Sequence, residues 1–312
     1  MSKPVFCLMG PTASGKTALA CELVQQFPLE IISVDSAMIY RGMDIGTAKP
    51  DHQVLANAPH HLIDIIDPPD SYSAARFCDE VITLCRSIYS RGKLPLLVGG
   101  TMMYVRALQQ GLSCLPEADE AIREQLLQQA QVHGWEYMHQ TLTRLDPISA
   151  ARIHPNDTQR IQRALEVYQL TGQSLSDYLR AETKSPDLDF VNLILMPEQR
   201  EWLHQRIAWR FQQMLAAGFL DEVEQLVTNW HLTLSSPSMR SVGYRQALAY
   251  LQGEYDYSSL QEKGVAATRQ LAKRQLTWLR HWPEGNFLAA DNPHVITEIM
   301  AIIKRILDNS EQ

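Results

Sequence analysis

The sequence predicts an α/β chain: an open parallel sheet built on a phosphate-binding loop and interrupted by an all-helical block. Three observations carry this. Gly10-Pro11-Thr12-Ala13-Ser14-Gly15-Lys16-Thr17 matches the pattern G-x-x-x-x-G-K-[ST] at every fixed position, between a short apolar run and a helical pattern. Short apolar runs at 5–9, 30–35, 94–98 and 190–195 alternate with helical stretches, as the strands of a parallel sheet do. Between 117 and 187 no strand-like run occurs, and the helical periodicity is broken only by Gly134, Pro147, Pro155 and Gly172.

Residues 5–9 read as a buried strand. The glycines of the loop let the backbone wrap an anion, and successive N–H groups and the following helix N-terminus face it. Lys16 adds a mobile charge, and Thr17 a hydroxyl for Mg²⁺. The loop therefore predicts a di- or triphosphate without saying which. Residues 30–35 form the second strand and end in an acid. Ligands of open α/β sheets bind beyond the carboxyl ends of the strands, so Asp35 shares a rim with the loop. A turn-capping role is the other reading of that aspartate. Residues 41–70, rich in Gly, Pro, Asp and His, read as a loop with short pieces of helix. No second ligand cluster accompanies His60 and His61 at metal spacing, so they read as surface or packing residues.

A helix follows over 73–89, with Ser73 as N-cap and Gly92 as stop. Residues 94–98 read as the third parallel strand. In most phosphate-loop NTPases such a strand ends in an aspartate that holds Mg²⁺. Here Gly99-Gly100-Thr101 follows, which removes the usual hydrolytic acid and puts a hydroxyl there, although Thr101 also suits an N-cap. No N-K-x-D stretch for guanine occurs. In the helical block the pattern predicts helices over 118–133, 135–145, 148–153 and 158–170. The run at 190–195 rejoins the sheet. Helices are expected from 197 to Gly218, over 219–230 and over 242–251, with a polar loop at 233–241. The last long helix, 258–282, carries Lys263, Arg269, Lys273, Arg274 and Arg280 against one acid, Glu262. A solvated face and a binding face both fit that run.

At 312 residues the chain holds one large domain or two of ordinary size. With 45% hydrophobic and 20% charged residues it reads as a soluble globular protein. A net charge of −7 excludes a globally basic nucleic-acid binder and leaves room for a local patch. The five cysteines (7, 21, 78, 85, 114) show no C-x-x-C spacing and read as reduced packing residues of a cytosolic chain. The N-terminus runs straight into the first strand, so no signal peptide is expected. No apolar run approaches the ~18 residues of a membrane span.

Several stretches together resemble one family. They are the loop 10–17, Ser33-Val34-Asp35-Ser36-Ala37-Met38-Ile39-Tyr40, Gly46-Thr47-Ala48-Lys49-Pro50 and Gly99-Gly100-Thr101. Further along come Asp157-Thr158-Gln159-Arg160-Ile161-Gln162-Arg163-Ala164-Leu165-Glu166 and Arg240-Ser241-Val242-Gly243-Tyr244-Arg245. Six such stretches in this order resemble the bacterial tRNA dimethylallyltransferases, over residues 3 to about 282.

The resemblance implies a core similar to the nucleotide-kinase type of phosphate-loop fold, made of 1–116 and 188–312, and a helical insertion at 117–187 that grips the tRNA anticodon stem-loop. It implies transfer of a dimethylallyl group from its diphosphate to N6 of the adenosine at tRNA position 37, with Mg²⁺ as cofactor. It implies a cytoplasmic enzyme without membrane contact, expected as a monomer. Asp35, Thr101 and Lys16 would be catalytic. Gly10, Pro11, Thr12, Ala13, Ser14, Gly15, Lys16 and Thr17 would bind the diphosphate, with Thr17 at the metal. The RNA contacts would be Asp35, Ser36, Ala37, Met38, Thr101, Arg123, Gln159, Arg160, Ile161, Gln162, Arg163, Arg240, Ser241, Val242, Gly243, Tyr244 and Arg245. In the last long helix they would be Lys273, Arg274, Gln275, Leu276, Thr277, Trp278, Leu279 and Arg280. Read without the resemblance, the loop also fits a small-molecule kinase using ATP, a non-catalytic RNA-binding nucleotide switch, and an isopentenyltransferase acting on free adenine nucleotides.

Overall fold

In the computed structural model, residues 3–111, 115–180 and 185–310 are described. Two compact units emerge, Met1–Ala107 with Asp187–Gln312, and Leu108–Pro186. The second begins earlier than the 117 expected from the change in character at Pro116.

In the first unit β1 (Pro4–Met9) leads through the phosphate loop into α1 (Lys16–Gln26). There follow β2 (Leu29–Val34), α2 (His52–Asn57), β3 (His60–His61), α3 (Ala74–Ser90), β4 (Leu94–Gly99) and α4 (Met102–Gln110), whose residues from Leu108 on belong to the second unit. The six strands of the sheet run parallel in the order β3-β2-β4-β1-β5-β6, once β5 (Asp189–Met196) and β6 (Asn286–Ala289) are included. The strand at 94–98 is therefore the fourth, because His60 and His61 pair with Ile31 and Ile32. Two residues are too short a run for alternation to reveal. Central strands are covered on both faces. Phe6, Leu8, Ile31, Leu96, Leu193 and Leu195 join one core beneath α1 and the C-terminal helix. Val5, Cys7, Met9 and Ile32, with opposite parity, are also 0–1% exposed. That explains near-continuous apolar runs rather than alternation. Each such Leu, Ile or Phe contributes roughly 1.5–3 kcal/mol.

The second unit contains α5 (Glu120–Leu145), α6 (Pro147–Arg152), α7 (Thr158–Thr171) and α8 (Leu175–Arg180). Gly134, with non-helical φ 82° and ψ 159°, divides α5 into two helical segments at the position expected. Leu126, Met138, Leu142, Ile153, Ile161 and Leu165 form its core. Asp146 caps α6 through Ser149 N–H at 3.0 Å and also accepts Ser176 N–H at 2.9 Å. Glu166 is 0% exposed and takes Arg123 Nε at 2.9 Å, Arg163 at 2.8 Å and the Asp119 N–H at 2.9 Å. Burial pushes its carboxyl up, but the hydrogen bonds from Arg163, Asp119 and Arg123 outweigh this and hold it below the usual range.

The first unit resumes at β5, followed by α9 (Arg200–Ala216), α10 (Phe219–Trp230), α11 (Tyr244–Leu251) and α12 (Tyr257–Arg280). The expected polar loop contains a short 3₁₀ turn, Ser238–Arg240. Helices α9 to α12 close over a second core of Phe211, Phe219, Val223, Met239, Tyr244 and Leu260. Beyond 282, where no element was expected, β6 extends the sheet and α13 (Val295–Ser310) buries Val295, Ile299 and Ile303 against it. Cys21, Cys78 and Cys85 are thiols, and burial pushes Cys78 and Cys85 up to about 12. Cys114 lies outside the described residues. Among the described residues no helix is long and apolar enough to cross a membrane.

Candidate active site

Register brings the site together. Met9 and Val34 both face Gly99, so the carboxyl ends of β1, β2 and β4 meet on one rim. A Cβ at Gly99 would stand 2.0 Å from the Val34 carbonyl oxygen, so only glycine permits this approach. In the loop, Ala13 (φ 64°) and Gly15 (φ 92°) are left-handed and bracket Ser14. Such alternation makes the concave N–H cradle that binds anions. The Thr12 N–H donates to Gln275 Oε1 at 2.8 Å, and Gln275 Nε2 donates to the Gly100 carbonyl at 2.9 Å. One amide of α12 thus bridges the two loops.

Lys16 Nζ donates to the Pro11 carbonyl at 3.2 Å. Burial lowers its pKa to about 8; Asp35 opposes the shift and Arg210 adds to it. Asp35 Oδ1 accepts the N–H groups of Ala37 at 2.9 Å and Met38 at 3.3 Å. The turn-capping reading thus holds for Oδ1, and it fixes a carboxylate whose Oδ2 is left for the cavity. Thr101 Oγ1 accepts the Ser36 N–H at 3.2 Å and donates to Ser36 Oγ at 3.4 Å. Its hydroxyl joins the two strand ends.

Two arginines that sequence reading missed come from α9. Arg206 Nε donates to the Ala13 carbonyl at 2.8 Å, and the guanidinium carbon lies 4.8 Å from the Trp202 ring centroid. Arg210 holds the Thr47 carbonyl at 2.9 Å, and burial lowers its pKa, with Asp35 opposing. Their i, i+4 spacing on the helix after β5 was the available signal. The segment carrying Thr47 is itself anchored. Glu222 accepts the N–H groups of Asp44 (3.0 Å), Ile45 (2.6 Å) and Gly46 (3.2 Å), and also the Tyr244 hydroxyl. The Lys49 ammonium, with its side chain 3% exposed, meets Asp44, Asp64 and the Tyr40 carbonyl.

The loop, the strand ends and Arg210 border a cavity of about 400 Å³. Of the expected residues, Thr12, Ala13, Lys16, Thr17, Asp35, Ser36, Ala37, Met38 and Thr101 line it, as do Arg240, Ser241, Val242, Gly243, Tyr244, Arg274 and Gln275. His60 lines it too. A smaller hollow of about 180 Å³ shares Ala13, Lys16 and Thr17 with Arg206, Trp209 and Arg210.

Other expected residues make contacts within the protein. The side chains of Tyr244, Leu279 and Ile161 are 0% exposed. Gln275 is engaged by both loops, as described. Arg123 and Arg163 are paired with Glu166, and Gln162 donates to the Arg123 carbonyl at 3.0 Å. Lys273, Arg274, Thr277, Trp278 and Arg280 are exposed along α12, as are Arg240, Arg245, Gln159 and Arg160. Arg106 lies 5.5 Å from the Trp278 ring centroid.

This architecture recurs in known proteins. The IPP transferase family model matches residues 38–282. A tRNA dimethylallyltransferase of Legionella pneumophila (strain Lens) is 62% identical over 310 residues, covering 99% of both chains. The full-length tRNA isopentenylpyrophosphate transferase of Bacillus halodurans superposes with a TM-score of 0.71 at 35% identity, over 100% of this chain and 98% of that one. A eukaryotic dimethylallyltransferase, solved in work on its action on tRNA, superposes with a TM-score of 0.83 at 28% identity, over 99% of this chain and 80% of that one. With a matched model spanning most of its length and relatives this similar across its whole extent, the chain belongs to the IPP transferase family.

Proposed function

We propose that the chain transfers a dimethylallyl group from dimethylallyl diphosphate to N6 of the adenosine at tRNA position 37, beside the anticodon. The observation that carries this reading is the polarity of the cavity. The phosphate loop, Lys16 and Arg210 supply cationic and N–H groups for an anion, and Asp35 and Thr101 in the same lining suit an amine. The diphosphate is held by loop N–H groups, Lys16 and Arg210, which stabilise the charge that develops as it leaves. The allylic C1–O bond breaks with its electron pair going to the diphosphate, and the C1–N6 bond forms. The N6 proton passes to Asp35 Oδ2, whose partner oxygen is fixed by the Ala37 and Met38 N–H groups. Thr101 orients the amine. The base leaves its stack to reach this cavity, as base-modifying enzymes require.

Mg²⁺ suits this rim, where Thr17 lines the cavity beside Lys16. Mg²⁺ takes few protein ligands and completes its shell with substrate phosphate and water, and Thr17 offers the hydroxyl. When bound it would neutralise diphosphate charge. The exposed cations of α12 and the exposed Gln159 and Arg160 suit phosphates and bases of the anticodon stem-loop. We read the enzyme as cytoplasmic and monomeric.

The test is incubation with unmodified tRNA and dimethylallyl diphosphate, digestion, and a search by mass for N6-modified adenosine. Asp35→Asn should lower the rate at saturation by ~10²-fold while tRNA affinity changes much less. Collapse of affinity with the saturated rate intact would leave Asp35 a binding residue only.

A further inference from the structure

One wall of the cavity is a single face of α9. Ile207, Arg210, Phe211 and Met214 line it at helical spacing, with Leu271 of α12 beside them. Along α9 the chemistry changes. Arg206 holds the Ala13 carbonyl of the phosphate loop, and Arg210, one turn on, holds Thr47. At ~1.5 Å per residue, Phe211 stands roughly 7.5 Å further along the axis than Arg206. On the wall itself Arg210 is flanked by apolar Ile207, Phe211 and Met214, so an apolar surface adjoins the cation that faces the cavity.

Phe211 is braced from behind. Its ring is 3% exposed and packs edge-on to Phe219 at 6.4 Å between centroids. Opposite it lies Gly264 in the interior of α12. A Cβ there would stand 2.0 Å from Phe211 Cζ and 2.4 Å from Cε1. A glycine inside a helix costs about 1 kcal/mol relative to alanine. Here it lets the ring lie directly on the helix backbone, from which it cannot retreat further.

We propose that Phe211, seated on Gly264, sets the length of the allylic chain that the cavity accepts. This rests on the transfer reaction proposed above. A cavity of about 400 Å³ must hold the diphosphate, the allyl group and the edge of the base. A five-carbon tail fits in front of the ring; a ten-carbon geranyl tail needs the space the ring fills. The bond changes are the same for both donors: C1–N6 forms, C1–O breaks with its electron pair going to the diphosphate, and the N6 proton goes to Asp35.

The experiment compares dimethylallyl and geranyl diphosphate as donors to tRNA, read as the ratio of their kcat/KM values. Phe211→Ala should raise the geranyl-to-dimethylallyl ratio by roughly 10- to 100-fold, the scale on which apolar pockets discriminate. Phe211→Leu should raise it less and serves if the alanine variant does not fold. Gly264→Ala should drive the ring forward and raise KM for dimethylallyl diphosphate, while inorganic pyrophosphate binds as in the parent. Phe219→Leu removes the ring packed on Phe211 without itself lining the cavity, and its ratio should rise less than that of either Phe211 variant. The wall is refuted if both Phe211 variants still bind pyrophosphate and transfer dimethylallyl with an unchanged ratio. An equal rise in Phe219→Leu refutes it as well. Failure of the parent chain to modify tRNA with dimethylallyl diphosphate is a separate result, and it removes the underlying reaction.

Discussion

The cavity around Lys16 and the cluster around Glu166 both concentrate charge away from water, but they do so in opposite ways. Glu166 is fully buried, yet both of its oxygens are taken, by two arginines and a backbone N–H. Its charge is satisfied, and its pKa lies below the usual range. Lys16 donates to one carbonyl, and burial lowers it to about 8. Arg210 is lowered for the same reason. The difference separates two uses of buried charge. Around Glu166 the protein completes the ion pairs itself. Around Lys16 it holds cations together at a cost, a cost that an incoming anion removes.

Four experiments break or sharpen that contrast. The largest effect is expected from Lys16→Ala, which removes a preorganised donor to the leaving diphosphate. Transfer should fall by ~10³-fold, the upper scale for one such donor, with the fold kept; efficient transfer would take the loop out of the chemistry. Next comes Glu166→Gln. Breaking a buried pair costs about 3–5 kcal/mol, but Arg123 and Arg163 are 43% and 27% exposed and can turn to water. A loss of ~2 kcal/mol on denaturant unfolding is therefore expected, with KM for dimethylallyl diphosphate unchanged. A shifted KM and unchanged stability would reverse the assignment.

The third experiment reads Lys16 by pH. Its folded pKa of about 8 lies below its unfolded value of 10.5. Between these values the unfolded chain binds more protons, so this group makes stability rise with pH through that window. Below it, the burial penalty is present in full. An anion favours the charged lysine, so pyrophosphate binding should take up a proton at and above pH ~8. Calorimetry in buffers of different ionisation enthalpy measures the uptake, and Lys16→Met should abolish it; uptake equal to the parent's in that variant would place the titration elsewhere. The smallest effect belongs to α12. Replacing Lys273, Arg274 and Arg280 one at a time should lower the salt slope of log tRNA affinity by somewhat under ~1 unit per contact. An unchanged slope would make them a solvated face.

How much was legible depended on how far the cause lay from the residue. The phosphate loop is a local pattern, and its strand and helix flank it as read. The helix expected at 219–230 matches α10, whose apolar face is one continuous stripe. β3 is two residues long, and its pairing comes from the neighbouring β2 rather than from its own pattern. Asp35 was recognised from its place after a strand, but its hold on the Ala37 and Met38 N–H groups needed the folded turn. Arg206 and Arg210 were missed because their partners are backbone carbonyls 193 and 163 residues away. Glu222 was missed likewise, since its three N–H donors lie 176 to 178 residues upstream. Tyr244 and Leu279 sit within motifs whose neighbours are exposed, and only burial separates packing members from surface ones.

The Gln275 amide has a consequence for the order in which the molecule is made. It joins Thr12 across 263 residues and Gly100 across 175. The phosphate loop leaves the ribosome 263 residues before the side chain that ties it to the loop after β4. Throughout synthesis, the Thr12 N–H and the Gly100 carbonyl lack the partner that fixes their spacing. Only a side chain with a donor at one atom and an acceptor at the other answers both: a glutamate at 275 would confront the carbonyl with a second oxygen, and a leucine would answer neither. The catalytic rim is thus assembled late, and a chain cut short before α12 would carry the anion-binding motif without the strut that sets its geometry.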